Sequence, residues 1–158
     1  MAHQSNSTSS THVISFFDDF PDFVPDPSAG IRKNFARLAA HRQWKTSSKK
    51  YKRNWNKYVR MEFDKAYGTN HTRLESWQNL CIEVGIGHLS SITQCKKALS
   101  KINVNIVDLM ECRWSGNKPR LFPSLNSLRN YTKEHDLYFP RDAAKKEGFV
   151  KILLKPIL

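Results

Sequence analysis

Catalysis by side chains needs complementary groups held close together, and this sequence scatters them. Six histidines stand at positions 3, 12, 41, 71, 88 and 135. Cys81, His88 and Cys95 are separated by six intervening residues at each step, whereas zinc sites are built from closely spaced ligand pairs. Glu62 and Asp64 lie two apart on a predicted helix, so they point about 200° from one another and cannot converge on one substrate. Neither a Gly-rich phosphate loop nor a nucleophile with its base is legible. These residues predict a noncatalytic protein with no cofactor and no metal.

The chemistry that the residues do favour is neutralisation of phosphate. The 158 residues carry 26 Lys and Arg against 14 Asp and Glu, a formal net charge of +12. Asp18, Asp19, Asp22 and Asp26 are the only charged side chains among residues 1–31, so the rest of the chain carries +16. Between Arg32 and Arg60 stand eleven cations and no acid. Such a field selects nucleic acid or an acidic protein surface as partner. No apolar run of ~18 residues crosses a membrane and no signal peptide is recognisable, so a location inside the cell, without membrane contact, is expected. The odd, widely spaced set Cys81, Cys95 and Cys112 suits a reducing compartment.

Two segments are candidates for the contact. On a helix predicted to start at Ser47 or Ser48, Lys49, Lys52, Arg53, Asn56 and Arg60 recur at three and four residues and form a cationic stripe flanked by Lys50 and Lys57. Tyr51, Trp55 and Tyr58 on the same helix read as core. The run KKYKR within it also fits a nuclear import signal. The second segment is Leu80 to Leu99, LCIEVGIGHLSSITQCKKAL, where a helix, a glycine turn at Gly85 and a second helix resemble a helix-turn-helix. Ser91, Thr93, Gln94, Lys97 and Lys101 would then face DNA, Gln94 toward adenine and the lysines toward phosphate or guanine. A plain helical hairpin within a bundle gives the same pattern.

Helices must position these groups, and the expected fold is mainly α: one compact helical domain over residues 26–158. Asp26 before Pro27 predicts a first helix, with Ile31, Phe35, Leu38 and Ala39 on one face through about Trp44. The second helix runs on to Gly68. Thr72 with Glu75 predicts a capping box for a third helix burying Leu74, Trp77, Leu80, Cys81 and Val84, and Ser91 with Gln94 another for a fourth. Residues 104–114 fit either a buried strand or a helix capped by Asn105, and the helix is favoured. Gly116 marks a turn, Ser124 caps a helix carrying Leu125, Leu128 and Tyr131, Pro140 opens another element, and an apolar element closes the chain. Trp44, Trp55 and Trp77 are expected largely inside.

Residues 1–12 read as a disordered tail and residues 13–25 as an extended acidic arm. In it Phe16, Phe17, Phe20 and Phe23 interleave with acids. The phenylalanines form a partner-binding segment if the arm is free, or fill a groove between helices if it docks on the basic body; docking is favoured and would shield the basic face.

The phrases RLAAHRQW, the EF at Glu62-Phe63, YG at Tyr67-Gly68, LESWQNLC, SITQCKKAL, VNIVDL and FPRDAAKKEGF resemble those of a family of small uncharacterised fungal proteins, over about residues 16–158. The resemblance implies one domain type and carries over no activity and no site residue. The expected function is therefore a noncatalytic, nuclear, nucleic-acid-associated protein that binds phosphate backbones through its basic helical face. The alternative is a protein-interaction module of an intracellular assembly.

Overall fold

Most helices of the molecule begin where a side chain accepts their first free amides. In the computed structural model, which describes residues 14–145 and 148–156, the order is a 3-10 turn over Phe16–Asp19, then α1 (Ile31–His41), α2 (Lys49–Tyr67), α3 (Leu74–Glu83), α4 (Ile92–Ser100), α5 (Ile106–Ser115), α6 (Leu125–His135), a second 3-10 turn over Arg141–Lys145, and α7 (Phe149–Leu153). The tail expected over residues 1–12 lies outside the described residues. No strand is present among them; Val104 and Leu121 form one isolated antiparallel bridge. The mainly α expectation holds, and residues 106–115 take the helical alternative, with Asn105 Oδ1 accepting from the Asp108 amide at 3.1 Å.

Local caps account for four starts. Ser48, Ser91, Asn105 and Ser124 each accept from the third amide of the helix that follows, satisfying a donor that has no partner within the helix. Two expected caps are not used. Asp26 turns its carboxylate to Ser28, accepting from its amide at 2.9 Å and its hydroxyl at 2.7 Å, so the chain makes one separate turn and α1 starts four residues later than Pro27. Thr72 donates to Asn70 while Glu75 pairs with Arg73 at 3.2 Å, and α3 starts without a side-chain cap.

The start of α1 is capped from far away. Glu111 on α5 accepts from the Arg32 amide at 2.7 Å across 79 residues. That approach requires Gly30, because a Cβ there would lie 2.2 Å from the Glu111 carboxylate. Tyr58 of α2 donates to the Ile31 carbonyl at 3.0 Å and is buried, so the start of α1 is pinned to the middles of α2 and α5.

The core runs through the whole helical set, with Phe35, Leu38, Tyr58, Val59, Trp77, Leu80, Cys81, Leu99, Leu109 and Leu153 among its most buried members. Each such side chain contributes ~1.5–3 kcal/mol of burial. Trp77 is fully enclosed as expected; Trp44 and Trp55 are only half-buried, because each sits at an edge of the aromatic cluster. Burial also pushes the Cys81 thiol up to about 12, so it does not behave as a reactive thiolate.

The arm is not extended. Ser15 and Asp18 form a capping box around its 3-10 turn, and the three prolines break any longer helix. Phe16 is 1% exposed, with its ring centroid 5.0 Å from that of Tyr58, and Phe23 is buried beside His41 and under Arg37. Phe17 and Phe20 are half-buried, Phe20 edge-on to Trp44 and beneath Arg42. All four expected partner-binding phenylalanines therefore pack on the chain's own body.

Candidate nucleic-acid interface

Charge on α2 is divided between its two halves by where the acids of the molecule fall. Lys49, Lys52 and Arg53 are exposed and make no ion pair among the described residues, and Asn56 is exposed beside them. Farther along, Lys57 pairs with Asp19 of the arm at 2.8 Å. Arg60, expected to extend the stripe, is instead half-buried and paired with Asp142. On α1, His41 and Arg42 grip Asp22 at 2.9 and 2.6 Å. The hydrogen bond from His41, helped by the Arg42 charge, holds the Asp22 carboxyl below the ordinary carboxylate range. The arm thus neutralises Lys57 and the end of α1, and Asp142 neutralises Arg60, leaving the first half of α2 open.

Beside that open half lies a groove of about 970 Å³. Arg32 and Lys33 of α1 and Lys52 and Asn56 of α2 border it, and Phe35, Tyr51, Trp55, Trp114 and Tyr138 supply aromatic lining. Its walls are held by long-range bonds. Trp55 Nε1 donates to the Tyr138 carbonyl at 2.9 Å. Asn105, buried at the head of α5, donates to Thr132 at 3.1 Å and to the Leu137 carbonyl at 3.0 Å. Those bonds fix the end of α6, where Asp136 adopts a left-handed conformation with φ 52° and turns the chain so that Leu137 points inward and Tyr138 outward.

Two of the three acids at the groove have partners: Asp108 accepts from Tyr131, and Glu111 caps α1. Burial and the bond to Asp108 push the Tyr131 hydroxyl up to about 12. Burial, with the Asp136 charge, also raises Tyr51, so both phenols are neutral at physiological pH.

No protein-family model, curated protein sequence or solved structure matches the chain. The site rests on its own geometry.

Of the two readings of the α3–α4 pair, its geometry fits the plain helical hairpin. Eight residues, 84–91, separate the two helices, where a helix-turn-helix uses three or four. Gly85 (φ 85°) ends α3, the Ile86 amide closing on the Cys81 carbonyl at 2.9 Å, and Gly87 (φ 101°) extends the link. Gln94, expected to read adenine, accepts from the Ser90 amide at 3.1 Å and the Ser90 hydroxyl at 2.9 Å, one residue before the expected box partner. Lys96 lies over the Trp77 ring at 5.4 Å. Lys97 and Lys101 remain exposed, and Lys155 donates to the Ser100 carbonyl at the end of α4. Packing against both α3 and α7, α4 behaves as a bundle helix.

Trp114, Tyr138 and Glu111 were not legible as site residues. Trp114 left one signal, a large aromatic just before the Gly116 turn, where burial is hard to achieve; it is 50% exposed.

Proposed function

We propose that the protein binds nucleic acid noncatalytically, through the first half of α2 and the adjoining start of α1. The observation that carries this reading is the exposed set Lys49, Lys52 and Arg53, which no described acid neutralises although Lys57 and Arg60 of the same helix are paired. Phosphate neutralisation needs density of Lys and Arg on one face, and counterion release supplies the free energy. Arg32 and Lys33 add two exposed cations at the mouth of the groove. The segment KKYKR, with its four cations exposed, also accords with a nuclear location.

Among the described residues no helix is long and apolar enough to cross a membrane. The reading is tested by fluorescence anisotropy with labelled oligonucleotides at ~50 and ~200 mM salt. Contact with ~six phosphates gives a slope of log affinity against log salt near −5, with little sequence preference. Absence of micromolar binding at ~50 mM salt overturns it, and a stable complex with an acidic protein instead favours the protein-interaction module.

A further inference from the structure

We infer that the groove between α1, α2, α5 and the end of α6 is a base-stacking site, so that the preferred ligand is a single strand of nucleic acid rather than a duplex. The inference rests on the proposed function and specifies its ligand. A cationic border beside aromatic faces is the combination by which single strands are held, the border following phosphates while bases stack on rings. Here the border is Arg32, Lys33 and Lys52, and the accessible rings are Trp114, 50% exposed, and Tyr138, 40% exposed.

Exposed aromatic rings of this size, facing one groove, go against the usual burial of such side chains. The Trp114 side chain makes no hydrogen bond or ring contact with a described residue. Trp55, by contrast, is fixed through Nε1 and presents a rigid wall. About 970 Å³ falls at the upper end of small-ligand sites, ~300–1,000 Å³, and exceeds the need of one base. A duplex buries its base faces within its own stack and reaches only the border.

Asp136 selects among ligands. It carries no hydrogen bond or ion pair from its side chain to a described residue, in contrast to Asp108 and Glu111. A carboxylate at the groove accepts from exocyclic amino groups and repels phosphate, so bases enter and the backbone stays at the border. An acidic peptide would meet this carboxylate with repulsion and gain less from the rings.

The test uses the full chain and three labelled probes of equal phosphate number: a 12-nucleotide mixed-sequence single strand, the same strand with all sites abasic, and a duplex. Anisotropy is read at ~50 mM salt, together with intrinsic tryptophan fluorescence. The expected result is ~5- to 30-fold tighter binding of the base-bearing strand than of the abasic strand, with tryptophan quenching. Trp114→Ala and, separately, Tyr138→Ala shrink that ratio, the loss falling mainly on the base-bearing strand. Lys52→Ala with Arg53→Ala weakens all probes alike. The Tyr138 variant keeps the carbonyl that holds Trp55, and melting temperatures show whether each variant folds. Equal binding of base-bearing and abasic strands, or tighter binding of the duplex, overturns the stacking site and leaves backbone binding standing. Failure of all three probes to bind overturns both.

Discussion

The two halves of α2 carry the same kind of sequence and meet different fates. Lys49, Lys52 and Arg53 stand free of described acids, whereas Lys57 and Arg60, one or two turns on, are held by Asp19 and Asp142. Nothing intrinsic to a lysine or arginine distinguishes them. What differs is the surface each half faces: the second half lies against the docked arm and the turn over Arg141–Lys145, while the first half faces the groove. A charge stripe read from helical spacing therefore locates a face, and the fold decides how much of it remains available.

The largest effect should come from loosening the arm, which neutralises Lys57 and the end of α1. Phe16 is enclosed by Phe17, Phe20, Phe35 and Tyr58. Phe16→Ala should cost ~3–5 kcal/mol and lower Tm by ~6–20 °C, measured by calorimetry. At temperatures where the variant is folded, its polyanion affinity should rise, because Lys57 and Arg42 are released. An unchanged Tm would show that the arm contributes nothing to the fold.

Gly30→Ala tests the opposite side, where the groove is built. A methyl group there displaces Glu111 and removes the cap of α1, costing ~1–2 kcal/mol by urea unfolding. Binding of base-bearing strands should weaken with it, since Arg32 and Lys33 sit on the uncapped turn.

A smaller change should make the second half resemble the first. Asp19→Asn with Asp22→Asn leaves Lys57 and Arg42 unpaired; affinity for oligonucleotides at ~50 mM salt should rise ~2- to 5-fold, and Tm should barely move, as expected for exposed ion pairs. A fall in affinity would mean that the arm acids assist binding.

The smallest effect concerns Glu62 on the second half. Burial raises its carboxyl above the usual value, with Lys65 partly opposing. A raised folded-state value means that the contribution to stability is full below ~4.3, the ordinary range of a free Glu, and is lost as pH rises through the folded value. Glu62→Gln should therefore raise Tm slightly at neutral pH, and the difference should vanish near pH 4.

How much of this was legible follows from the range of each interaction. Ser48, Ser91, Asn105 and Ser124 act within three residues, and local sequence reveals such caps. Asp26 and Thr72 failed as caps because Ser28 and Asn70, equally near, competed for their side chains. Docking of the arm could be weighed in advance, since four phenylalanines and four acids complement a basic body. Glu111 could not be found, because its partner is 79 residues away and the only local trace is a glycine. The groove draws on five separate stretches of chain, and no spacing rule connects Lys52 to Trp114 or Tyr138. Residues 80–99 leave a groove reader and a plain hairpin both open in the sequence, because apolar spacing and a glycine define a hairpin of any turn length.

Contact of the unpaired first half of α2 with phosphate is tested by comparing two charge-matched variants across salt. In one, Lys49, Lys52 and Arg53 are replaced by Ala; in the other, the paired cations Arg42, Lys57 and Arg60. Affinity for a single-stranded oligonucleotide is measured by anisotropy from ~50 to ~200 mM salt. The first variant should reduce the magnitude of the salt slope by ~2–3, about one for each lost phosphate contact, while the second should leave it within ~1 of the unmodified protein. Equal slopes for the two variants would contradict that contact, showing that net charge alone governs binding.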